Sequence, residues 1–206
     1  IPEPFSLVEG AIYKITYVGV DLAGNQGVAE TTNLTYDTTK PTLDTVIIAS
    51  NNSVNTDKAK ENDVITLTIA ANETITTPTV SFSIDETEVT SSASVSGSGT
   101  NYTATYTVLS GQNGLVTFSI SSYSDSAGNA GPTVTDLTSG SSVTVDTTAP
   151  VISQVTKIST ITNSTTPIYV FSSDETGTIT FDFNDTGLTV LSGNSAGDTN
   201  NNVEFD

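Results

Sequence analysis

Hydrophobic residues along this chain recur with a period of two. Ile65, Leu67 and Ile69 alternate with Thr66 and Thr68, and Val80, Phe82 and Ile84 with Ser81 and Ser83. Tyr102, Ala104, Tyr106 and Val108 alternate with threonines, and Val116, Phe118 and Ile120 with Thr117 and Ser119. Such alternation marks strands with one buried and one solvated face. It predicts strands over 43–49, 63–71, 79–84, 101–108 and 115–121, with a last one ending in Val143-Thr-Val145. Gly, Asn and Ser clusters separate the runs, as at 96–100 and 111–114. A short edge strand fits within 85–95, where Asp85, Glu86 and Glu88 would discourage edge pairing. No window carries a helical period. Short strands that each have one apolar face predict an all-β, two-sheet sandwich.

An internal repeat organises these strands. Residues 21–41 read DLAGNQGVAETTNLTYDTTKP, and 125–150 read DSAGNAGPTVTDLTSGSSVTVDTTAP. Both open on Asp-x-Ala-Gly-Asn and close on Asp-Thr-Thr-x-Pro. The openings at Asp21 and Asp125 lie 104 residues apart (125 − 21), and Pro41 and Pro150 lie 109 apart (150 − 41). A period of about a hundred residues suits one sandwich per repeat. Glu73 and Glu175 each close an apolar run and precede another. The predicted domains are therefore 1–40, the end of one sandwich; 41–149, a whole one; and 150–206, the start of a third. A chain cut this way is expected to be a piece of something longer. Tyr13, Ile15 and Tyr17 alternate one residue out of phase with Phe118 and Ile120 when counted back from the Asp-x-Ala-Gly-Asn motif. A β-bulge before Asp21 would restore the phase, and a different subtype of domain would equally account for it.

Composition removes whole classes of function. The chain has 206 residues, 23 acidic against 5 basic, and a net charge of −18. With no Cys or His, disulfides, zinc and iron–sulfur sites and a Ser-His-Asp triad are excluded. All five bases are lysines, too few for the phosphate contacts that nucleic-acid binding needs. No apolar run approaches the ~20 residues of a membrane-spanning helix, so no membrane insertion is expected. No nucleophile–base pair can be drawn, so no enzyme is expected. The acidity suits an extracellular surface, and it suits oxygen-ligated cations.

The chain resembles the tandem bacterial immunoglobulin-like repeats of large prokaryotic surface adhesins. The residues that carry the resemblance are Lys58-Ala-Lys-Glu-Asn-Asp-Val-Ile-Thr-Leu-Thr-Ile, Val95-Ser-Gly-Ser-Gly-Thr-Asn-Tyr-Thr-Ala, Asp125-Ser-Ala-Gly-Asn129 and Val145-Asp-Thr-Thr-Ala-Pro150. The segment Thr162–Glu175 is similar to a sister subtype of these repeats, and Leu7–Tyr17 to that subtype's last strands. The resemblance implies tandem Ig-like β-sandwiches of seven short strands, the outer two incomplete, in an extracellular cell-surface protein. It also implies other repeats of the same protein as partners.

In that topology the turn after 63–71 and the turn after 115–121 lie at one pole, facing the end of the preceding unit. Asp37, Glu73, Asp125 and Asn129 should gather there. The next junction should gather Asp146 and Glu175, with Asp174 nearby. Calcium suits such sets, because it takes six to eight oxygens from carboxylates, amides and carbonyls. The same residues also suit a simpler role: Gly24 and Gly128 permit tight turns, and an Asp can cap its own turn. The favoured function is a calcium-stiffened stalk or spacer of an adhesin-like protein. A second reading is a filament or S-layer subunit assembled with neighbouring copies. A third is a glycan-binding module, although Trp is absent and most aromatics fall inward, Tyr36 and Tyr123 aside. The acids at 85–88 read as solvated, Asp182 and Asp185 as turn residues, and the Asn-rich stretch 199–203 as an irregular loop.

Overall fold

The computed structural model of the chain describes residues 6–89, 93–156, 161, 163, 168–177, 190–192 and 201–205. It divides into two compact units, Ile1–Thr147 and Thr148–Asp206. Among the described residues there is no helix. The strands of the first unit are β1 Ile12–Tyr17, β2 Glu30–Thr35, β3 Leu43–Ser50, β4 Lys58–Ala59, β5 Val64–Ala71, β6 Thr79–Ile84, β7 Thr87–Glu88, β8 Ser94–Ser98, β9 Asn101–Thr107, β10 Asn113–Ser121 and β11 Thr144–Asp146. Those of the second are β12 Ile152–Thr156, β13 Ile168–Ser173, β14 Val190–Ser192 and β15 Asn201–Phe205.

Residues 43–146 form a β-sandwich. One sheet has the order β3-β5-β9-β8 and the other β4-β11-β10-β6-β7. The alternation dictates which side chains meet between them. From one sheet come Val46, Ile65, Leu67, Ile69, Tyr102, Ala104 and Tyr106; from the other come Val80, Phe82, Ile84, Val116, Phe118, Ile120 and Val145, all in one buried cluster. Each fully buried aliphatic side chain contributes about 1.5–3 kcal/mol of apolar burial. The intervening threonines face outward, where β-branching suits a pleated surface.

The edges depart from the expectation. The single short strand expected within 85–95 is two pieces in different sheets. β7 folds back on β6 through Asp85 and Glu86, both at positive φ (49° and 61°), while β8 pairs with β9. β4 has only two residues and no alternation to betray it. It runs parallel to β11, and the buried Ser50 hydroxyl donates to its Lys58 carbonyl.

Residues 12–17 pair with 30–35 in unbroken register, but the register slips by one residue before Asp21, between Tyr17 opposite Glu30 and Val20 opposite Gln26, with the extra residue on the returning side. The other repeat has its own irregular residue, Ser122, at φ 57°. It ends the phase of Phe118 and Ile120 and turns Tyr123 inward, to 2% exposure. Tyr123 is thus a core residue and not an outward aromatic. Its ring lies so close to Gly131 that a Cβ there would stand 2.0 Å from Tyr123 Cε2.

The hairpin β1–β2 precedes the sandwich within the first unit. One face carries Tyr13, Ile15, Tyr17 and Leu34; the other carries Lys14, Thr16, Thr31 and Asn33. In the second unit the sheet order is β12-β13-β15-β14. The Asn-rich stretch expected to be an irregular loop contributes residues 201–203 to β15. The strand expected to follow Glu175 lies outside the described residues from 178 onward, as do Asp182 and Asp185.

Candidate functional site

The Asp-x-Ala-Gly-Asn motif builds the same turn twice. In the hairpin, Asp21 Oδ1 accepts the backbone N–H groups of Ala23 and Asn25 at 2.9 and 2.8 Å, and Asn25 Nδ2 donates to Asp21 Oδ2 at 2.7 Å. In the sandwich, Asp125 Oδ1 accepts Ala127, Gly128 and Asn129 N–H at 2.8, 2.7 and 2.8 Å, and Asn129 Nδ2 donates to Asp125 Oδ2 at 2.7 Å. Gly24 and Gly128 hold φ of 88° and 96°, which a side chain would resist. The simpler turn role is therefore fulfilled at both positions. Asp125 is buried, which alone would raise its pKa; the bonds from Asn129, Gly128 and Ala127 outweigh this and lower it.

Three segments converge on the second copy of this turn. The loop after β5 carries Glu73. It is tied to the residues before Asp125 by Thr76 N–H on the Ser124 carbonyl (2.8 Å) and Ser124 N–H on Thr76 Oγ1 (3.0 Å). Behind it, the buried Tyr102 hydroxyl donates to the Ile75 carbonyl at 2.7 Å. The linker carries Asp37, whose carbonyl accepts Asn129 Nδ2 at 3.1 Å. Just beyond the linker, Thr42 and Asn72 clasp each other. Thr42 N–H donates to Asn72 Oδ1 at 2.8 Å, and Asn72 N–H to the Thr42 carbonyl at 3.0 Å.

The result brings one carboxylate oxygen each of Asp37, Glu73 and Asp125 within 4.8 Å of one another. Asp125 is buried, and the other two are half-buried. Burial raises the Glu73 pKa, and the charges of Asp125 and Asp37 raise it further. A positive charge beside Glu73 would favour its ionised form. Carboxylate oxygens are hard donors, the kind that cations such as calcium and magnesium take and that soft metals do not. Asn129, expected beside them as a ligand, donates its amide nitrogen to Asp125 Oδ2 and to the Asp37 backbone carbonyl. It ties the linker backbone to the Asp125 turn.

Sequence reasoning missed Glu9. Its carboxylate accepts Thr38 N–H at 3.0 Å, Thr38 Oγ1 at 2.6 Å and Thr39 Oγ1 at 2.9 Å, so it holds the linker from the hairpin side. These bonds, those of Thr38 foremost, lower its pKa to about 2. No motif announces a contact spanning 29 residues.

The acids of the second expected junction lie in two units. Asp146 ends β11 in the first. Asp174 and Glu175 follow β13 in the second, where Asp174 Oδ1 accepts Val151 N–H at 2.7 Å and Asp174 N–H reaches the Val151 carbonyl at 3.3 Å. This reproduces the Thr42–Asn72 clasp, each time just after a proline, so Asp174 stands where Asn72 does. Glu175 N–H meets the Ser173 hydroxyl at 3.3 Å. In comparisons with known proteins, no family model, no curated protein and no solved structure matches the chain.

Proposed function

We propose that the chain is a non-catalytic, extracellular structural segment, a run of Ig-like repeats that serves as a calcium-stiffened stalk or spacer of a long cell-surface adhesin-like protein. The observation that carries this reading is the convergence of Asp37, from the linker, with Glu73 and Asp125, from two loops of the following sandwich. A linker residue is thereby tied to a domain pole, which is where stiffness along a rod is decided. The domains read as 1–40, 41–149 and 150–206, with the hairpin β1–β2 as the closing strands of a preceding sandwich. Two repeated details support this: the turn at Asp21 and Asp125, and the clasp at Thr42–Asn72 and Val151–Asp174.

The roles of the residues follow from their bonds. Asn129 and three backbone N–H groups hold Asp125 in place; Glu9 holds Thr38 and Thr39; Pro41 fixes φ beside them. A bound calcium would supply positive charge that offsets the repulsion among the three carboxylates. Extracellular modules of this kind bind calcium at about 10⁻⁴–10⁻³ M, so at tenfold excess over Kd the stabilisation is about 1.4 kcal/mol per site. That is modest for a domain and large for a hinge.

The test is small-angle scattering of the full chain with calcium and with chelator. The reading expects a narrower distribution of lengths with calcium. Identical profiles in both conditions would remove the calcium role and leave a stalk stiffened by proline and hydrogen bonds alone.

A further inference from the structure

Each Asp-Thr-Thr-x-Pro segment is gripped at two points four residues apart (42 − 38 and 151 − 147). In the first, Thr38 N–H donates to the Glu9 carboxylate at 3.0 Å, and Thr42 N–H to Asn72 Oδ1 at 2.8 Å. In the second, Thr147 N–H donates to Asn113 Oδ1 at 2.7 Å, and Val151 N–H to Asp174 Oδ1 at 2.7 Å. The positions correspond. Thr38 and Thr147 follow the linker aspartates Asp37 and Asp146, and Thr42 and Val151 follow Pro41 and Pro150.

The earlier grip comes from the same place in each repeat. Glu9 and Asn113 each precede a glycine at positive φ, Gly10 at 70° and Gly114 at 128°. Gly10 N–H bonds the Tyr36 carbonyl, and Gly114 stands opposite Val145, so each glycine lies beside the residue before a linker aspartate. The chemistry of the grip differs. Glu9 is long enough for its carboxylate to accept the hydroxyls of Thr38 and Thr39 as well, at 2.6 and 2.9 Å. Asn113 is one methylene shorter, and backbone supplies the further bond: Gly111 N–H donates to Thr147 Oγ1 at 3.1 Å. An acid in one repeat and a neutral amide in the other hold the same linker position, so the hold does not depend on charge.

Between the two grips lie Thr39, Lys40 and Pro41 in the first segment, and Thr148, Ala149 and Pro150 in the second. Each proline has its φ fixed by the ring, and the ring also restricts the residue before it. Few torsions are left that can turn. We propose that each segment is a three-residue hinge closed by a side-chain grip on either side, and that Asn113 anchors the second hinge to its sandwich by hydrogen bonds alone. This rests on the stalk reading proposed above, and it gives that stalk a stiffness that chelation does not remove.

The experiment is pulsed electron paramagnetic resonance on the full chain at physiological salt. The chain has no Cys, so spin labels at Val54→Cys and Ile161→Cys, both exposed (93% and 87%), report a distance across the second hinge. Asn113→Ala removes the acceptor, and Asn113→Asp keeps one. Exchange of the Thr147 amide is followed in the same variants. The expected result is that Asn113→Ala speeds this exchange about tenfold and widens the distance distribution, with calcium and with chelator alike, while Asn113→Asp changes neither. Thr147→Val removes the hydroxyl held by Gly111 and leaves Asn113 in place; it should widen the distribution by a smaller step, and it tests the same grip if Asn113→Ala unfolds. Unchanged exchange or an unchanged distribution in Asn113→Ala overturns the proposal. Equal widening by Asn113→Asp also overturns it, since the acceptor would then not be what holds the hinge. The variants are compared within each condition, so loss of the calcium reading leaves this test intact.

Discussion

Replacing Tyr123 with Phe should stabilise the first unit. Tyr123 is 2% exposed, and its hydroxyl is a buried polar atom with no hydrogen-bond partner. Burial accordingly pushes its phenol pKa up. A buried hydroxyl without a partner forfeits its hydration, which costs about 1–3 kcal/mol. Phe keeps the ring that packs over Gly131 and removes only the oxygen. The expected gain is therefore about 1–2 kcal/mol, the lower part of that range, since the phenol also loses dispersion contacts. For a unit of this size, each kcal/mol moves Tm by about 2–4 °C. Urea unfolding of the full chain and of Tyr123→Phe gives the free energy directly, with a higher midpoint and unchanged slope expected. Calcium affinity should not change, because Tyr123 lies outside the acid cluster. A variant destabilised by about 1 kcal/mol or more would refute the reasoning, since it would mean that the hydroxyl is bonded in the folded state.

Gly131→Ala should destabilise by about 1–3 kcal/mol through its clash with the Tyr123 ring, and Tyr123→Leu in the same chain should recover part of the loss, measured as a double-mutant cycle. Glu73→Gln should act in opposite directions with and without calcium. Because burial and two neighbouring charges raise the folded pKa of Glu73 above its usual 4.5, calcium-free stability should fall as pH rises from about that value through the raised one. Gln should flatten this fall, and it should weaken calcium binding in a titration. Glu9 has the reverse sign. Its pKa is lowered to about 2 in the folded chain, so its contribution is whole above about 4.5 and fades as pH drops towards 2. Glu9→Gln should remove that acid-side loss, as followed by exchange of the Thr38 and Thr39 amides.

The strands easiest to read in the sequence were those with one face buried along their whole length. β5, β6, β9 and β10 follow their alternation almost to the residue, because burial of every second side chain fixes register. β4 was illegible, since two residues cannot alternate, and its place is set by Ser50 and a parallel partner. β8 was hidden by its Ser and Gly residues, which pack little. Tyr123 was misplaced because a single left-handed residue, Ser122, reverses the phase, and no property of serine advertises that. At the site, Asp37, Glu73 and Asp125 could be gathered from repeat spacing and strand topology alone. The direction of the Asn129 amide could not, because it depends on which oxygens surround it. Glu9 was missed because its partners are backbone and threonine groups of the linker, which form no sequence pattern.

The central claim is that the linker and the sandwich pole share a calcium site. Its most direct test is calorimetric titration of calcium into the full chain, with Asp37→Asn and Asp125→Asn in parallel. The account predicts binding near 10⁻⁴–10⁻³ M that both substitutions weaken. Binding that neither substitution alters, or no binding at all, would contradict it and reduce the three acids to turn and linker residues.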